Sequence, residues 1–164
     1  GFPQGPAQTE HDAADDALLR VGQHHVAHHL PGRATQTVGR FTQDGWNAFT
    51  ESCGTTAIGP TRDLYRKLVR DGFAVVLLTG RSDSERSATA ECLRKRGIKD
   101  WHELILRTQA EATLSADVYK SQHRADLQAE GHRIVASIGD QVSDMSKGRL
   151  KAGFLLPNLM YFIP

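Results

Sequence analysis

Phe73–Gly80 reads FAVVLLTG, an unbroken apolar run closed by a threonine and a glycine. It is rich in branched residues and lacks the polar alternation of a half-exposed strand, so it reads as a short strand buried on both faces. Just upstream, TRDLYRKLVRDG places Leu64, Leu68 and Val69 at helical spacing and stops at Gly72. Just downstream, Ser82 with Glu85 three residues on makes a capping box that opens the helix SERSATAECLRKRG, closed by Gly97. The alternation continues through a strand at ELILR (Glu103–Arg107), a polar-faced helix over 117–130 stopped by Gly131, a third strand at RIVASIG (Arg133–Gly139) and a fourth at AGFLL. Strands alternating with helices predict an α/β fold, a Rossmann-like, mostly parallel sheet with helices on both faces.

The whole chain is consistent with one such domain. It has 164 residues, 39% of them hydrophobic, enough for one core and too few for two comfortable ones. The 20 basic and 19 acidic residues are interleaved and the net charge is +1, so no nucleic-acid footprint is expected. No apolar run approaches the length of a membrane span, and none is expected. Cys53 and Cys92 make neither a disulfide framework nor a ligand quartet, and one bridge or two free thiols both satisfy the count. Residues 1–10, GFPQGPAQTE, read as a flexible arm ahead of a domain over 11–164. The chain begins Gly1-Phe2-Pro3, read as a processed or truncated start. Its compartment therefore stays open between an organelle and a secretory or vacuolar setting.

Ligands of open α/β sheets bind beyond the carboxyl ends of the strands. Two loops there carry chemistry. Thr79-Gly80-Arg81-Ser82 couples a hydroxyl and a glycine to a helix start, where backbone N–H groups can hold a phosphate; a plain capped turn is the other reading. Gly139–Asp144 (GDQVSD) sets Asp140 and Asp144 four residues apart, able to share a hard cation such as Mg²⁺ or to serve as caps and solvated charges. Lys120, Arg124 and Arg107 are cations able to steady an anion or simply to lie on the surface.

Together these pieces resemble one family. LYRKLVRDGFAVVLLTGRSDSERSATAECLRKRGIKDWHELILR, VYKSQHRADLQAEGHRIVASIGDQVSDM and FLLPNLMYFI are similar to successive parts of the acid phosphatase and vegetative storage protein branch of the haloacid dehalogenase-like superfamily. FTQDGWNAF resembles part of that family's cap, which implies a small helical cap-like segment at about residues 20–58. The resemblance implies phosphoryl transfer to an aspartate under Mg²⁺, with a second aspartate two positions on as acid and base. It implies that Thr79 and Gly80 bind phosphate, that Lys120 balances charge on nucleophile and phosphate, and that Asp140 and Asp144 form the acidic metal-side motif.

The family's first motif, Asp-x-Asp-x-Thr at the end of the central strand, has no intact counterpart. No two aspartates in the chain are separated by a single residue. AADDALL (13–19) resembles the motif with Ala13 at the nucleophile position, Asp15 at the acid/base and metal-side position, and Ala17 replacing the threonine. An alanine methyl cannot attack phosphorus. The preceding PAQTEHD also lacks the apolar run of a central parallel strand. Either a poor strand is tolerated there, or another segment or chain fills the slot, or DALLRVGQHHVAHHL is an amphipathic helix. On such a helix His24 with His28, and His25 with His29, would have metal-ligand spacing, although a solvated polar face is the plainer reading.

The expected function is thus a catalytically degenerate acid-phosphatase-like protein with a structural or binding role, as a subunit of a larger assembly or with a small phosphorylated ligand. Protein partners follow from that reading, and Mg²⁺ is either retained or lost. The alternative is an active Mg²⁺-dependent acid phosphatase acting on phosphomonoesters.

Overall fold

The structure, a computed structural model, describes residues 17–22, 26–27, 48, 52–53 and 56–157. In chain order these form β1 (Ala17–Gly22), β2 (Val26–Ala27), β3 (Thr56–Ala57), α1 (Gly59–Arg70), β4 (Ala74–Ser82), α2 (Arg86–Lys95), β5 (Glu103–Arg107), α3 (Ala116–Ala129), β6 (Arg133–Gly139) and β7 (Ala152–Leu155). Strands β5-β4-β1-β6-β7 make one sheet in that spatial order, every neighbouring pair parallel. The α/β fold expected from the alternation is the fold observed.

Local chemistry explains the elements. Pro60 sits in the first turn of α1, where its missing N–H has no intrahelical partner to lose. The helix stops where Gly72 takes φ +84°; a Cβ there would meet open space, so the glycine is required by backbone conformation alone. In β4 successive side chains go to opposite faces. Val75 and Leu77 pack with Tyr65 of α1 and with Ala90 and Leu93 of α2. Val76 and Leu78 pack with Tyr119 and Leu127 of α3. Helices therefore cover both faces, which is why this strand reads as a continuous apolar run.

The capping box expected at Ser82 forms, with Glu85 Oε2 accepting from the Ser82 N–H at 3.0 Å. It heads a single 3₁₀ turn, Asp83–Glu85, and the α-helix proper begins at Arg86.

The central slot between β4 and β6 is filled by ALLRVG. Leu18–Gly22 pair with Ala74–Leu78 on one side, and Ala17–Val21 pair with Arg133–Ile138 on the other. The reading of DALLRVGQHHVAHHL as a helix is corrected over Ala17–Gly22, and Val26–Ala27 is extended too, paired antiparallel with Thr56–Ala57. The reason is physical. A short apolar run does not declare its period, and pairing on both edges overrides local preference. Val26–Ala27 does not adopt the helical geometry on which i,i+4 metal pairing of the histidines was based. His24, His25, His28 and His29 themselves lie outside the described residues, as do residues 1–16. Of the cap-like segment, Arg20–Gly22 belong to β1, and apart from Ala48 its expected helical content lies outside the described residues.

Cys53 and Cys92 are joined in a disulfide that closes a separation of 39 residues. It ties the chain just before β3 to α2, and the Arg96 guanidinium donates to the Cys53 carbonyl beside it. On a chain-entropy account such a closure contributes about 2–4 kcal/mol. Among the described residues no helix is long and apolar enough to cross a membrane.

Candidate functional site

The carboxyl ends of β4 and β6 flank that of β1, so the two loops singled out from the sequence lie on one edge of the sheet. β4 runs three residues past Thr79, to Ser82, because its pairing with β5 resumes after an irregularity. Leu78 is in register with Ile105 and Ser82 with Arg107, so four steps on β4 oppose two on β5. Thr79 to Arg81, three residues opposite the single Leu106, form a bulge that lifts their backbone out of the ladder. Thr79 is buried, and its Oγ1 accepts from the Arg81 N–H at 3.3 Å. A Cβ at Gly80 would meet open space, which leaves the backbone there approachable by a ligand.

Arg81 sends its guanidinium to Thr89 Oγ1 at 2.7 Å and lies 3.8 Å from Glu85. Burial lowers its pKa, with Glu85 acting in the opposite sense. It is a cation beside the bulge that the sequence reading did not select.

The second loop is built around Asp144, which is 1% exposed. Its Oδ1 stands 2.8 Å from Lys120 Nζ, and its Oδ2 accepts from the Gln141 N–H at 3.1 Å. Lys120, also 1% exposed, donates in addition to Ser143 Oγ at 3.0 Å. The Asp144 carbonyl accepts from Ser137 Oγ at 2.8 Å and from Arg124 at 3.0 Å, fixing the loop to β6 and α3. Arg124 donates to the Ser146 carbonyl as well. Burial holds its pKa down, against the pull of Asp144, and the guanidinium serves the loop backbone. Arg107 donates to the Leu114 carbonyl at 3.1 Å and lies over the Tyr119 ring. Both arginines thus have structural partners.

Asp140 follows directly on β6, and its Oδ2 accepts from Gln141 Nε2 at 3.2 Å. Tyr119, next to Lys120 on α3, donates its hydroxyl to the Thr79 carbonyl at 3.0 Å and so connects the two loops. Lys120, Asp144, Ser143 and Asp140 come together through α3 and the β6 loop, and Thr79 is reached through Tyr119. Ala13 and Asp15 lie outside the described residues. They precede β1 in the chain, whereas Thr79 lies in the carboxyl-terminal half of β4 and Asp140 directly follows β6.

The donor set limits what metal this site could hold. Among the described residues no group of three or more histidines, cysteines or carboxylates is gathered around one point. Asp144 is engaged by Lys120 and the Gln141 N–H, and Asp140, held by Gln141 Nε2, is the other carboxylate of the loop that could serve a hard cation. Magnesium accepts one carboxylate when phosphate and water fill its other positions. The set therefore fits an ion carried on a phosphate, whose charge it would neutralise.

Residues 26–164 match the model of the HAD superfamily, subfamily IIIB (acid phosphatase). The chain belongs to that family. Acid phosphatase 1 of Solanum lycopersicum is 41% identical over 124 residues, covering 75% of this chain and 49% of that protein. A stem 31 kDa glycoprotein of Glycine max is 36% identical over 129 residues (77% and 50%), and vegetative storage protein 1 of Arabidopsis thaliana is 31% identical over 150 residues (92% and 53%). The chain thus spans about half the length of the curated relatives it matches. Among solved structures, the class C acid phosphatase from Bacillus anthracis superposes with a TM-score of 0.67 at 14% identity, covering 92% of this chain and 70% of that one, a likeness of fold. The geometry of the GDQ-x-SD loop explains its glycine. A Cβ on Gly139 would lie 2.2 Å from Asp144 Cγ, so only a glycine lets that carboxylate fold back over the strand end.

Sequence reasoning missed Ser143, Gln141, Tyr119 and Ser137 as members of the site. Ser143 and Gln141 lie inside the quoted loop, and Tyr119 adjoins Lys120. Ser137, inside a buried strand, carried no comparable signal.

Proposed function

We propose that this chain is a catalytically degenerate member of the acid phosphatase family, with a binding or structural role in place of turnover. The observation that carries the reading is the identity of β1. The central strand, which in this family leads into the nucleophile, reads ALLRVG here, with no carboxylate. Val21 and Gly22 are in register with Leu77 and Leu78, the two residues before Thr79. The family match begins at residue 26, after this strand. What remains at the edge is a threonine hydroxyl, a bulged backbone, a buried lysine–aspartate pair and Asp140. These can hold a phosphate group but offer no aspartyl nucleophile.

Phosphate brings two further negative charges to a place where the lysine is already matched by Asp144. Its binding therefore needs Mg²⁺ brought in with it, Asp140 serving as ligand. Protein partners, and service as a subunit of a larger assembly, follow if the fold is kept without turnover. The Cys53–Cys92 disulfide, and a relative named as a glycoprotein, favour a disulfide-permissive compartment of secretory or vacuolar type. The second reading, an active phosphomonoesterase, is favoured by the retained Thr79, Lys120 and Asp140 and by the likeness to a tomato acid phosphatase.

Ligand-induced stabilisation tests the binding role. Inorganic phosphate with Mg²⁺ at about 100 times its dissociation constant stabilises a native state by about 2.7 kcal/mol, several degrees in melting temperature at this size. We expect such a rise in the parent chain, and its loss in Thr79→Val and in Asp140→Asn. No rise in the parent would contradict phosphate binding and leave a purely structural role.

A further inference from the structure

We propose that His102 and His132 form a bis-imidazole site for a borderline divalent transition ion such as Zn²⁺ or Cu²⁺, at the edge of the sheet opposite the phosphatase-like loops. His102 immediately precedes β5 and His132 immediately precedes β6, so both stand at amino-terminal strand ends. Their ring centroids are 5.3 Å apart with the planes at 76°. Both backbones are pinned, the His102 N–H by the Val75 carbonyl at 2.9 Å and the His132 N–H by the Leu127 carbonyl at 3.0 Å. His102 is exposed and His132 half-buried, so an ion has access from solvent.

The spacing suits a shared ion. With a metal–nitrogen bond of about 2.0–2.1 Å and a ring nitrogen about 1.1 Å from its centroid, each centroid stands about 3.2 Å from a bound ion. Two such centroids 5.3 Å apart subtend roughly 110° at that ion, the tetrahedral angle. A ring turned about its Cβ–Cγ bond keeps its centroid nearly in place, so reorienting the nitrogens toward an ion preserves this spacing. Two imidazoles favour Zn²⁺ or Cu²⁺ over Mg²⁺, which keeps to oxygen ligands. No third protein ligand stands with them among the described residues, so water completes the shell.

His123 is the internal control, because its Nε2 is 2.8 Å from Glu111 Oε1 and its ring packs edge-on against Tyr119. The test is a titration of the full chain with Cu²⁺, following the ring signals of its eight histidines by NMR, and with Zn²⁺ by calorimetry. We expect the His102 and His132 signals to broaden together and well before that of His123. In His132→Ala the broadening of His102 should need at least tenfold more Cu²⁺, His102→Ala should do the same to His132, and each variant should lose one Zn²⁺ equivalent. His132→Gln and His102→Asn, which keep a polar side chain of similar reach, guard against a folding effect. Broadening of His102 that persists unchanged without His132, or that appears only alongside His123, would overturn the proposal.

Discussion

Replacing Lys120 by methionine is expected to destabilise the fold by about 3–5 kcal/mol, measured by urea unfolding at neutral pH. The side chain is nearly isosteric, so packing is largely kept and the loss falls on charge. Lys120 and Asp144 are both 1% exposed and 2.8 Å apart, and the variant leaves the carboxylate buried without its cation. Ser143 Oγ loses its donor as well. Adding Asp144→Asn should recover much of the loss, since an amide oxygen can still accept from the Gln141 N–H that now serves Oδ2. A double variant as unstable as the sum of the two singles would show that the pair is not coupled in the way its geometry requires.

Gly139→Ala should be nearly as damaging, by roughly 3 kcal/mol, the upper end for overpacking a closed site. The added methyl would fall 2.2 Å from both Asp144 Cγ and Oδ2. That carboxylate cannot swing aside, because Lys120 and the Gln141 N–H hold its oxygens while Ser137 and Arg124 hold its backbone carbonyl. Gly80→Ala is the contrasting case. Its Cβ would enter open space, so unfolding free energy should change by less than about 0.5 kcal/mol, while a methyl beside the bulge would obstruct the phosphate proposed to bind there. Equal losses at the two glycines would contradict this account of the GDQ-x-SD loop.

Much of this architecture is legible in the sequence because its signals are local. The apolar run at Phe73–Leu78, the capping box at Ser82 and the glycines at 72, 97 and 131 mark strands and helix ends through short-range chemistry. The central strand is different. ALLRVG carries an arginine in its middle, is short and is followed by histidines, so nothing within it distinguishes strand from helix. Its placement comes from pairing on both edges, with Ala74–Leu78 and with Arg133–Ile138, residues far away in the chain. The site divides in the same way. Lys120, Asp140 and Asp144 were visible as charged residues in suggestive positions, whereas the anchoring of the loop by Ser137 and Arg124 depends on tertiary contact.

The identity of the central strand makes turnover the point on which the account stands. Hydrolysis of p-nitrophenyl phosphate by the purified chain, with Mg²⁺ from acid to neutral pH, should not exceed that of an Asp140→Asn control, both proteins melting cooperatively. Metal-dependent turnover that the Asp140→Asn change removes would contradict the account and establish an enzyme whose nucleophile lies elsewhere than in ALLRVG.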